Sequence, residues 1–267
     1  MIRYITLILL ILFSLESPAA EREQPILGVI DFFPFGYSLE DNIPRGMVFD
    51  IEAVLEEVSS LKIDARLMSV ARALRSASLG QNDLLFSYRD EQMVPNVIWL
   101  GNVGCLTPLV VSHKSSGIKT LDDLAGKRVG FVSLGYFDVK MKSKWPIKPV
   151  LLNDNFIMLK MLLRGRLDAI IINDGVLNAY LANQSILAEL PEFWPQQLAQ
   201  PLALETYETH LSMSKDSEFQ ALIPQFKQAI LKAKQQGRFK EIFKKHGSKL
   251  GGYCFTDEEL KLHKWLE

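Results

Sequence analysis

The amino-acid sequence predicts an α/β protein, and three local patterns carry that prediction. Residues 121–136 (LDDLAGKRVGFVSLGY) predict a helical turn that stops at Gly126, a short apolar strand, and a glycine turn into a helix. Residues 165–174 place a glycine and an aspartate before an apolar run, and residues 80–87 do the same. Apolar runs that alternate with helical segments are typical of α/β units. The glycine turn suits a ligand bound by backbone N–H groups, and it equally suits a strand–turn–helix that binds nothing.

Composition sets the size of the core and disfavours one class of partner. With 267 residues, of which 48% are hydrophobic, the chain is long enough for one large domain or two modest ones. Its 30 basic and 31 acidic residues are interspersed and give a formal net charge of −1. Because a phosphate backbone is bound by a concentrated basic surface, nucleic-acid binding is not expected.

Residues 1–20 are predicted to be a signal peptide that does not belong to the fold. Arg3 supplies a short positive region, residues 4–15 are apolar but too few to span a bilayer, and residues 17–20 (SPAA) offer small residues for cleavage. An uncleaved N-terminal anchor is the alternative. No cysteine follows the apolar region, so a lipoprotein anchor is not indicated. The mature protein is therefore expected to be soluble and periplasmic.

Export would place the two cysteines, Cys105 and Cys254, in an oxidising compartment. They would form either a disulfide, which would tie the segment after Leu100 to the C-terminal tail, or two buried free thiols. Neither cysteine lies near a histidine at metal-ligand spacing, and the four histidines are scattered. No metal site and no cofactor are predicted.

The units at residues 121–136 and 165–174 together resemble the second lobe of the family-3 bacterial extracellular solute-binding proteins, which are the amino-acid-type binding proteins of ABC transporters. That family carries sLddLkGkkvgv and grvDavvaD, and this chain has LDDLAGKRVGF and GRLDAIIIND. The resemblance covers nearly the whole mature chain. Residues 45–51 (RGMVFDI) match the motif kGfdvdl, and residues 237–247 match a closing motif, G.l..i..kw.

This resemblance implies a bilobal, type II periplasmic-binding-protein-like fold, with two α/β lobes built on mixed sheets and joined by two crossing strands. Lobe 1 would be discontinuous and comprise residues 21–109 and 210–267, including a C-terminal helix and tail. Lobe 2 would comprise residues 110–209. A ligand would bind between the lobes, at the carboxyl ends of the strands.

The elements of both lobes are predicted from apolar periodicity and glycine or proline stops. Strands are expected at residues 25–30, 64–68, 83–87, 97–101, 108–112, 128–132, 149–152 and 210–214. Helices are expected at residues 50–58, 70–79, 155–163, 175–182 and 217–236.

One wall of the ligand cleft is predicted just after the first strand. The resemblance implies that Asp31 supplies an acid there and that Phe33 and Phe35 supply rings. Phe32 competes with Phe33 for the stacking role, because the chain is shorter between Asp31 and Pro34 than in the family. The alternative is that these rings only cap the core.

A second group of ligand residues is predicted after the strand at residues 83–87. Family members hold the ligand carboxylate there with a hydroxyl and an arginine, whose planar fork makes two parallel hydrogen bonds. Ser87, Tyr88 and Arg89 occupy this place. Because the segment is shorter than in the family, Arg89 is either the ligand anchor or a surface arginine, and Arg72 is a rival.

Lobe 2 is predicted to contribute four residues. Gly135 and Tyr136 lie at the glycine turn, where most family members have a small hydroxyl residue. The family's ammonium-binding aspartate falls at the end of the strand after Asp168, where this chain has Asn173 followed by Asp174. Asn173 would leave a neutral amide in the cleft, whereas Asp174 would keep an anion. The sequence leaves this choice open.

The expected function is that of a monomeric periplasmic protein that captures a small polar or amino-acid-like solute by hinge closure and delivers it to an ABC permease. A signalling or envelope-accessory protein with the same fold is the alternative. A dehydratase-like enzyme would need Asp31 or Asp174 as its general acid or base, since no histidine lies in a cleft motif. The protein is therefore not expected to be an enzyme.

Overall fold

The computed structural model describes residues 22–92, 94–132, 144–182 and 189–248, together with Cys254. Within these ranges ten strands form two five-stranded sheets with helices packed around them. The strands are β1 (Ile26–Ile30), β2 (Asp64–Met68), β3 (Leu84–Tyr88), β4 (Val97–Leu106), β5 (Pro108–Ser112), β6 (Arg128–Val132), β7 (Lys148–Leu152), β8 (Ala169–Asn173), β9 (Leu202–Ala203) and β10 (Tyr207–Ser214). The α-helices are α1 (Met47–Ser59), α2 (Val70–Ser78), α3 (Asn155–Leu163), α4 (Asp174–Ala182), α5 (Ile223–Gln235) and α6 (Arg238–Lys245). The predicted signal peptide, residues 1–20, lies outside the described residues.

The two sheets have the same architecture. The strand order is β2-β1-β3-β10-β4 in the first sheet and β7-β6-β8-β5-β9 in the second. In each sheet the first three strands are parallel and the last two run antiparallel to their neighbours. Strands β3 and β8 therefore occupy equivalent places. The predicted α/β class with two mixed sheets is confirmed.

The chain crosses between the sheets at two short connections. Strand β4 belongs to the first sheet and β5 to the second, and only Thr107 separates them. The chain returns between Ala203 and Tyr207, where β9 ends in the second sheet and β10 begins in the first. Both crossings lie slightly earlier than the predicted boundaries at residues 110 and 209. These two crossings are the short links between the sheets.

Three elements differ from their predicted bounds for local reasons. Helix α1 begins at Met47 because Gly46, with φ of 134°, reverses the chain immediately before it. Strand β4 extends to Leu106, well past the predicted end at residue 101, because β10 pairs along its whole length with two bulges. The helix predicted from Ser217 starts only at Ile223, after a 3₁₀ turn, because Pro224 favours the first helical turn.

The core of lobe 1 is formed by helices on the face of the first sheet. Helix α1 packs against α5 and α6, and α5 also packs against β4. The apolar stripes that predicted these helices point inward: Ile51 and Leu55 in α1 are fully buried, as is Phe226 in α5. Burying a side chain of this size contributes roughly 1.5–3 kcal/mol. In lobe 2 the inward-facing residues of α3 and β8 are equally buried, namely Met158, Leu159, Leu162, Ala169 and Ile170.

Cys105 and Cys254 form a disulfide, with a Cα–Cα distance of 6.1 Å. The bond joins the end of β4 to the C-terminal tail, next to the first crossing. Among the described residues, no group of His, Cys, Asp or Glu side chains is arranged to hold a metal ion. No helix in the described ranges has both the length and the apolar character needed to cross a bilayer.

Candidate ligand cleft between the lobes

The two lobes meet at the ends of equivalent strands. Tyr88 is the last residue of β3 and Asn173 is the last residue of β8. The phenolic hydroxyl of Tyr88 donates a hydrogen bond of 2.9 Å to the side-chain oxygen of Asn173. Because parallel strands deliver their carboxyl ends to one edge of a sheet, the two edges face each other across this bond.

A second contact closes the cleft beside the first. The ring of Phe33 stacks on Tyr180 of α4, with centroids 5.5 Å apart and planes inclined by 5°. Tyr37 packs edge-on against the same Phe33 ring at 4.9 Å. Burial raises the pKa of Tyr180, so its phenol stays neutral. Phe33 lies in a loop that is closed by the pairing of Phe32 with Gly36. The peptide bond between Phe33 and Pro34 in this loop is cis.

Two small cavities lie on either side of the Tyr88–Asn173 bond. The larger, of about 70 Å³, is on the lobe 1 side and is lined by Ile30, Phe32, Phe35, Val48, Val70, Leu74, Phe86, Ser87, Tyr88, Leu106, Asn173 and Thr209. The smaller, of about 40 Å³, extends into lobe 2 and is lined by Phe32, Tyr88, Phe131, Val132, Asn155, Ile171, Ile172 and Asn173. They share Phe32, Tyr88 and Asn173, so these three side chains form the partition of one interlobe cleft.

Four of the predicted ligand residues lie on this cleft. Phe35, Ser87, Tyr88 and Asn173 line the larger cavity. The hydroxyl of Ser87 donates to the main-chain oxygen of Tyr88 at 3.0 Å. Phe33 does not line either cavity, but its stacking on Tyr180 places it across the interlobe contact. Gly135 and Tyr136 lie outside the described residues.

The predicted charged ligand residues lie elsewhere. Asp31, Arg72 and Arg89 are all exposed, and none of them lines either cavity. The backbone N–H of Arg89 donates to the main-chain oxygen of Glu208, and that of Asp31 donates to Met68. Asp31 and Arg89 lie in the loops that follow β1 and β3, whereas Arg72 lies on the exposed side of helix α2.

Asp174 is buried, and its hydrogen bonds go to the first crossing and to the C-terminal segment. Its backbone N–H donates to the Thr107 oxygen at 2.9 Å, and its carboxylate accepts from the Thr107 N–H at 3.3 Å. The other carboxylate oxygen accepts a hydrogen bond of 2.8 Å from the Ser248 hydroxyl. Asp174 therefore joins the first crossing to the C-terminal segment, while the neighbouring Asn173 faces the cleft.

Sequence reasoning did not assign Tyr180 or Thr209 to this site, and it left the role of Phe32 open. Tyr180 lies within a predicted helix, and nothing local distinguishes it from a core tyrosine. Thr209 immediately precedes the predicted return strand, yet it is buried in the cavity wall. Phe32 was considered as a rival to Phe33 for stacking, and it lines both cavities. Only the packing of one lobe on the other reveals these positions.

Comparisons with known proteins find similarity at the level of structure. No protein-family model matches the chain, and no curated protein matches it by sequence. A histidine kinase sensor domain with similarity to periplasmic binding proteins superposes with a TM-score of 0.69 at 16% identity, covering 84% of this chain and 96% of its own. An ABC-transporter substrate-binding protein from Streptococcus pneumoniae with bound histidine superposes with a TM-score of 0.67 at 18% identity. The match covers 85% of this chain and 93% of that protein. A mutant of ArgBP from T. maritima superposes with a TM-score of 0.66 at 18% identity, and the match covers 85% of this chain and 96% of that protein.

Each of these superpositions covers most of this chain and nearly all of the other protein. The resemblance seen in the sequence has the same extent. At such low identity the likeness concerns the fold. The chain has the bilobal α/β fold of the amino-acid substrate-binding proteins of ABC transporters.

Proposed function

We propose that the protein is a divergent family-3 solute-binding protein that captures a small solute between its lobes. The observation that carries this proposal is the meeting of β3 and β8 at the Tyr88–Asn173 bond, with a cavity on each side. Ligands of open α/β sheets bind at the carboxyl ends of the strands. Short crossings at Thr107 and after Ala203 supply the hinge for closure around the solute.

The full proposal includes export, a partner and an oligomeric state. Residues 1–20 would direct the protein to the periplasm and be removed, and the closed monomer would be recognised by the permease of an ABC transporter. Similar structures include a substrate-binding protein of an amino-acid ABC transporter, which supports this class of partner. The solute predicted from the sequence is polar or amino-acid-like.

A signalling role is the second candidate, and one specific observation favours it. The histidine kinase sensor domain superposes on this chain as well as the transport proteins do. In that role the closed form would be read by a sensor protein rather than a permease. Catalysis receives less support. No His, Asp, Glu or Lys is among the described residues that line the two cavities, and Tyr88 is the titratable side chain that they place there.

A thermal-shift screen of the mature protein tests the binding proposal. The library would contain amino acids, polyamines, small carboxylates and neutral ring compounds. A solute that binds only the folded protein must raise its melting temperature by mass action. We expect a hit that is lost in Asn173→Ala, because that variant removes a cleft side chain shared by both cavities. Glu192→Ala, at an exposed position outside both cavities, is the control and should retain the hit. A flat response across the whole library would contradict the proposal.

Transport and signalling are separated by the partner of the closed protein. Photo-crosslinking in the native envelope, with the probe placed at exposed positions on both lobes, would identify the membrane protein that contacts it. A permease subunit would support transport. A kinase or another sensor would support the second candidate.

A further inference from the structure

The described wall of the interlobe cleft carries no charged side chain. The larger cavity is surrounded by aliphatic and aromatic residues, and its polar members are the neutral side chains of Ser87, Tyr88, Asn173 and Thr209. The smaller cavity adds Asn155, which is also neutral. An ion transferred into such surroundings without a counter-charge loses its hydration and gains little in return. This wall is therefore poorly suited to a zwitterion.

One polar atom in the wall has no hydrogen-bond partner. The hydroxyl of Thr209 is buried, with the residue only 1% exposed, and no described residue hydrogen-bonds to it. Ser87, on the same wall, already donates to the oxygen of Tyr88. A buried hydroxyl without a hydrogen-bond partner has lost its hydration, which costs free energy. A ligand group that hydrogen-bonds to the hydroxyl would offset that cost.

The position of Thr209 follows from an irregularity in the sheet. Thr209 pairs with Gly104 on β4, but the next residue, His210, pairs with Asn102, so Val103 is an extra residue on β4. A bulge of this kind re-aims nearby side chains and is common beside functional sites. Here the bulge lies beside Thr209, which lines the cavity and whose buried hydroxyl has no hydrogen-bond partner among the described residues.

We infer that the natural ligand is a small neutral molecule with an apolar body and one hydrogen-bonding group, which binds to the Thr209 hydroxyl. This inference rests on the proposed function and narrows its ligand class away from free amino acids. The body would be at most about one ring in size, since the two cavities, of about 70 and 40 Å³, are together smaller than the apolar cavity of about 150 Å³ that accommodates benzene. Rotation of Tyr88 would join them.

Isosteric probes that differ in charge test this inference. Benzyl alcohol and benzamide are neutral, whereas benzoate and benzylammonium carry the same ring with a charge of either sign. L-Phenylalanine and L-arginine represent the zwitterions. We expect the neutral probes to bind the wild-type protein at least tenfold more tightly than the charged ones, with affinities measured by titration calorimetry and thermal shift.

Thr209→Val removes the hydroxyl and keeps the shape of the side chain. We expect this variant to bind the neutral probes about fivefold to tenfold more weakly. We also expect it to melt about 2–4 °C higher without ligand, because the buried hydroxyl no longer lacks a partner. Opposite signs in the two measurements would separate a ligand-binding role from a structural one. Thr120→Val, at an exposed position in lobe 2 that lies outside both cavities and away from both crossings, is the control and should keep the affinity.

Each contrary result has a distinct meaning. If the amino acids or charged rings bind best and Thr209→Val binds them normally, the inference is overturned while the solute-binding function stands. If no neutral probe binds, the inference is also overturned. If no probe of any charge binds and the broad screen is flat as well, the proposed function fails together with it.

Discussion

Two aspartates in equivalent positions show how a single residue stabilises the strands within each lobe. Asp83 precedes β3 and accepts from the backbone N–H of Ile26, at the start of β1, at 2.8 Å. Asp168 precedes β8 and accepts from the backbone N–H of Arg128, at the start of β6, at 2.7 Å. Each carboxylate thus ties the start of its own strand to the start of the parallel strand beside it. The role of Asp168 is therefore structural.

The two aspartates differ in burial, which predicts different costs for their removal. Asp83 is 0% exposed and also accepts from the Ser217 hydroxyl and from Arg22, each at 2.6 Å. Asp83→Ala should therefore lower the free energy of unfolding by about 2–4 kcal/mol, because several buried donors lose their partner. Asp168→Ala should lower it by only about 1 kcal/mol, because the ion pair with Arg128 is partly exposed. Urea unfolding monitored by circular dichroism measures both, and equal losses would contradict this ranking.

At the scale of elements, the C-terminal segment is the least expected feature. Helix α6 belongs to lobe 1, but the residues after it reach lobe 2. Gly247, with φ of 86°, passes close to Asn178 and Ala179 of α4, so a side chain there would meet the helix at about 3 Å. Ser248 then donates to Asp174, and Cys254 is bonded to Cys105. The segment is a third connection beside the two crossings predicted from the sequence.

Removing the disulfide tests the contribution of this connection. We expect the double variant Cys105→Ala/Cys254→Ala to lose about 2–4 kcal/mol of unfolding free energy, because the cross-link closes a long loop in the unfolded chain. Ser248→Ala is the matched comparison and should lose about 1 kcal/mol, since it removes one buried hydrogen bond. The measurement is guanidinium unfolding under non-reducing conditions. A double variant as stable as the wild-type protein would contradict the expectation.

At the scale of the whole molecule, the lobes are packed together directly. One cluster of buried apolar residues runs from Phe35 and Leu84 in lobe 1 to Leu159 and Val176 in lobe 2. The Tyr88–Asn173 hydrogen bond and the stacking of Phe33 on Tyr180 close the cleft beside that cluster. Separation of the lobes would therefore break the hydrogen bond and the ring contact and would also disturb the shared apolar cluster.

Tyr88→Phe should shift the free protein towards open forms. A hydrogen bond between neutral groups contributes about 1 kcal/mol, which corresponds to a roughly fivefold change in the ratio of closed to open molecules. Small-angle X-ray scattering should then report a larger radius of gyration for the variant without ligand. Tyr207→Phe is the control, because Tyr207 packs edge-on against Tyr88 from β10, in the same lobe. A scattering profile identical to that of the wild-type protein would show that the bond does not govern closure.

The sequence by itself determined the α/β class and most of the elements. Strands such as β6 and helices such as α3 have the bounds predicted for them, because apolar periodicity and glycine stops act within a few residues of the chain. The bilobal fold was implied by a family resemblance, which rests on short motifs and on their order along the chain. The equivalence of Asp83 and Asp168 is also visible in the sequence, as a glycine and an aspartate before an apolar run.

Only the tertiary structure decided which side chains face the cleft. Successive residues of a strand point to opposite sides, so a shift of one position exchanges a cleft residue for one that faces elsewhere. Asn173 ends β8 and Asp174 begins α4, so one position separates a residue that lines the cavities from one whose hydrogen bonds go to Thr107 at the first crossing. The exposure of Asp31 and Arg89 depends on how their loops leave the sheet, and the burial of Thr209 depends on a bulge with a strand far away in sequence. These outcomes rest on contacts between distant segments, which no local pattern encodes.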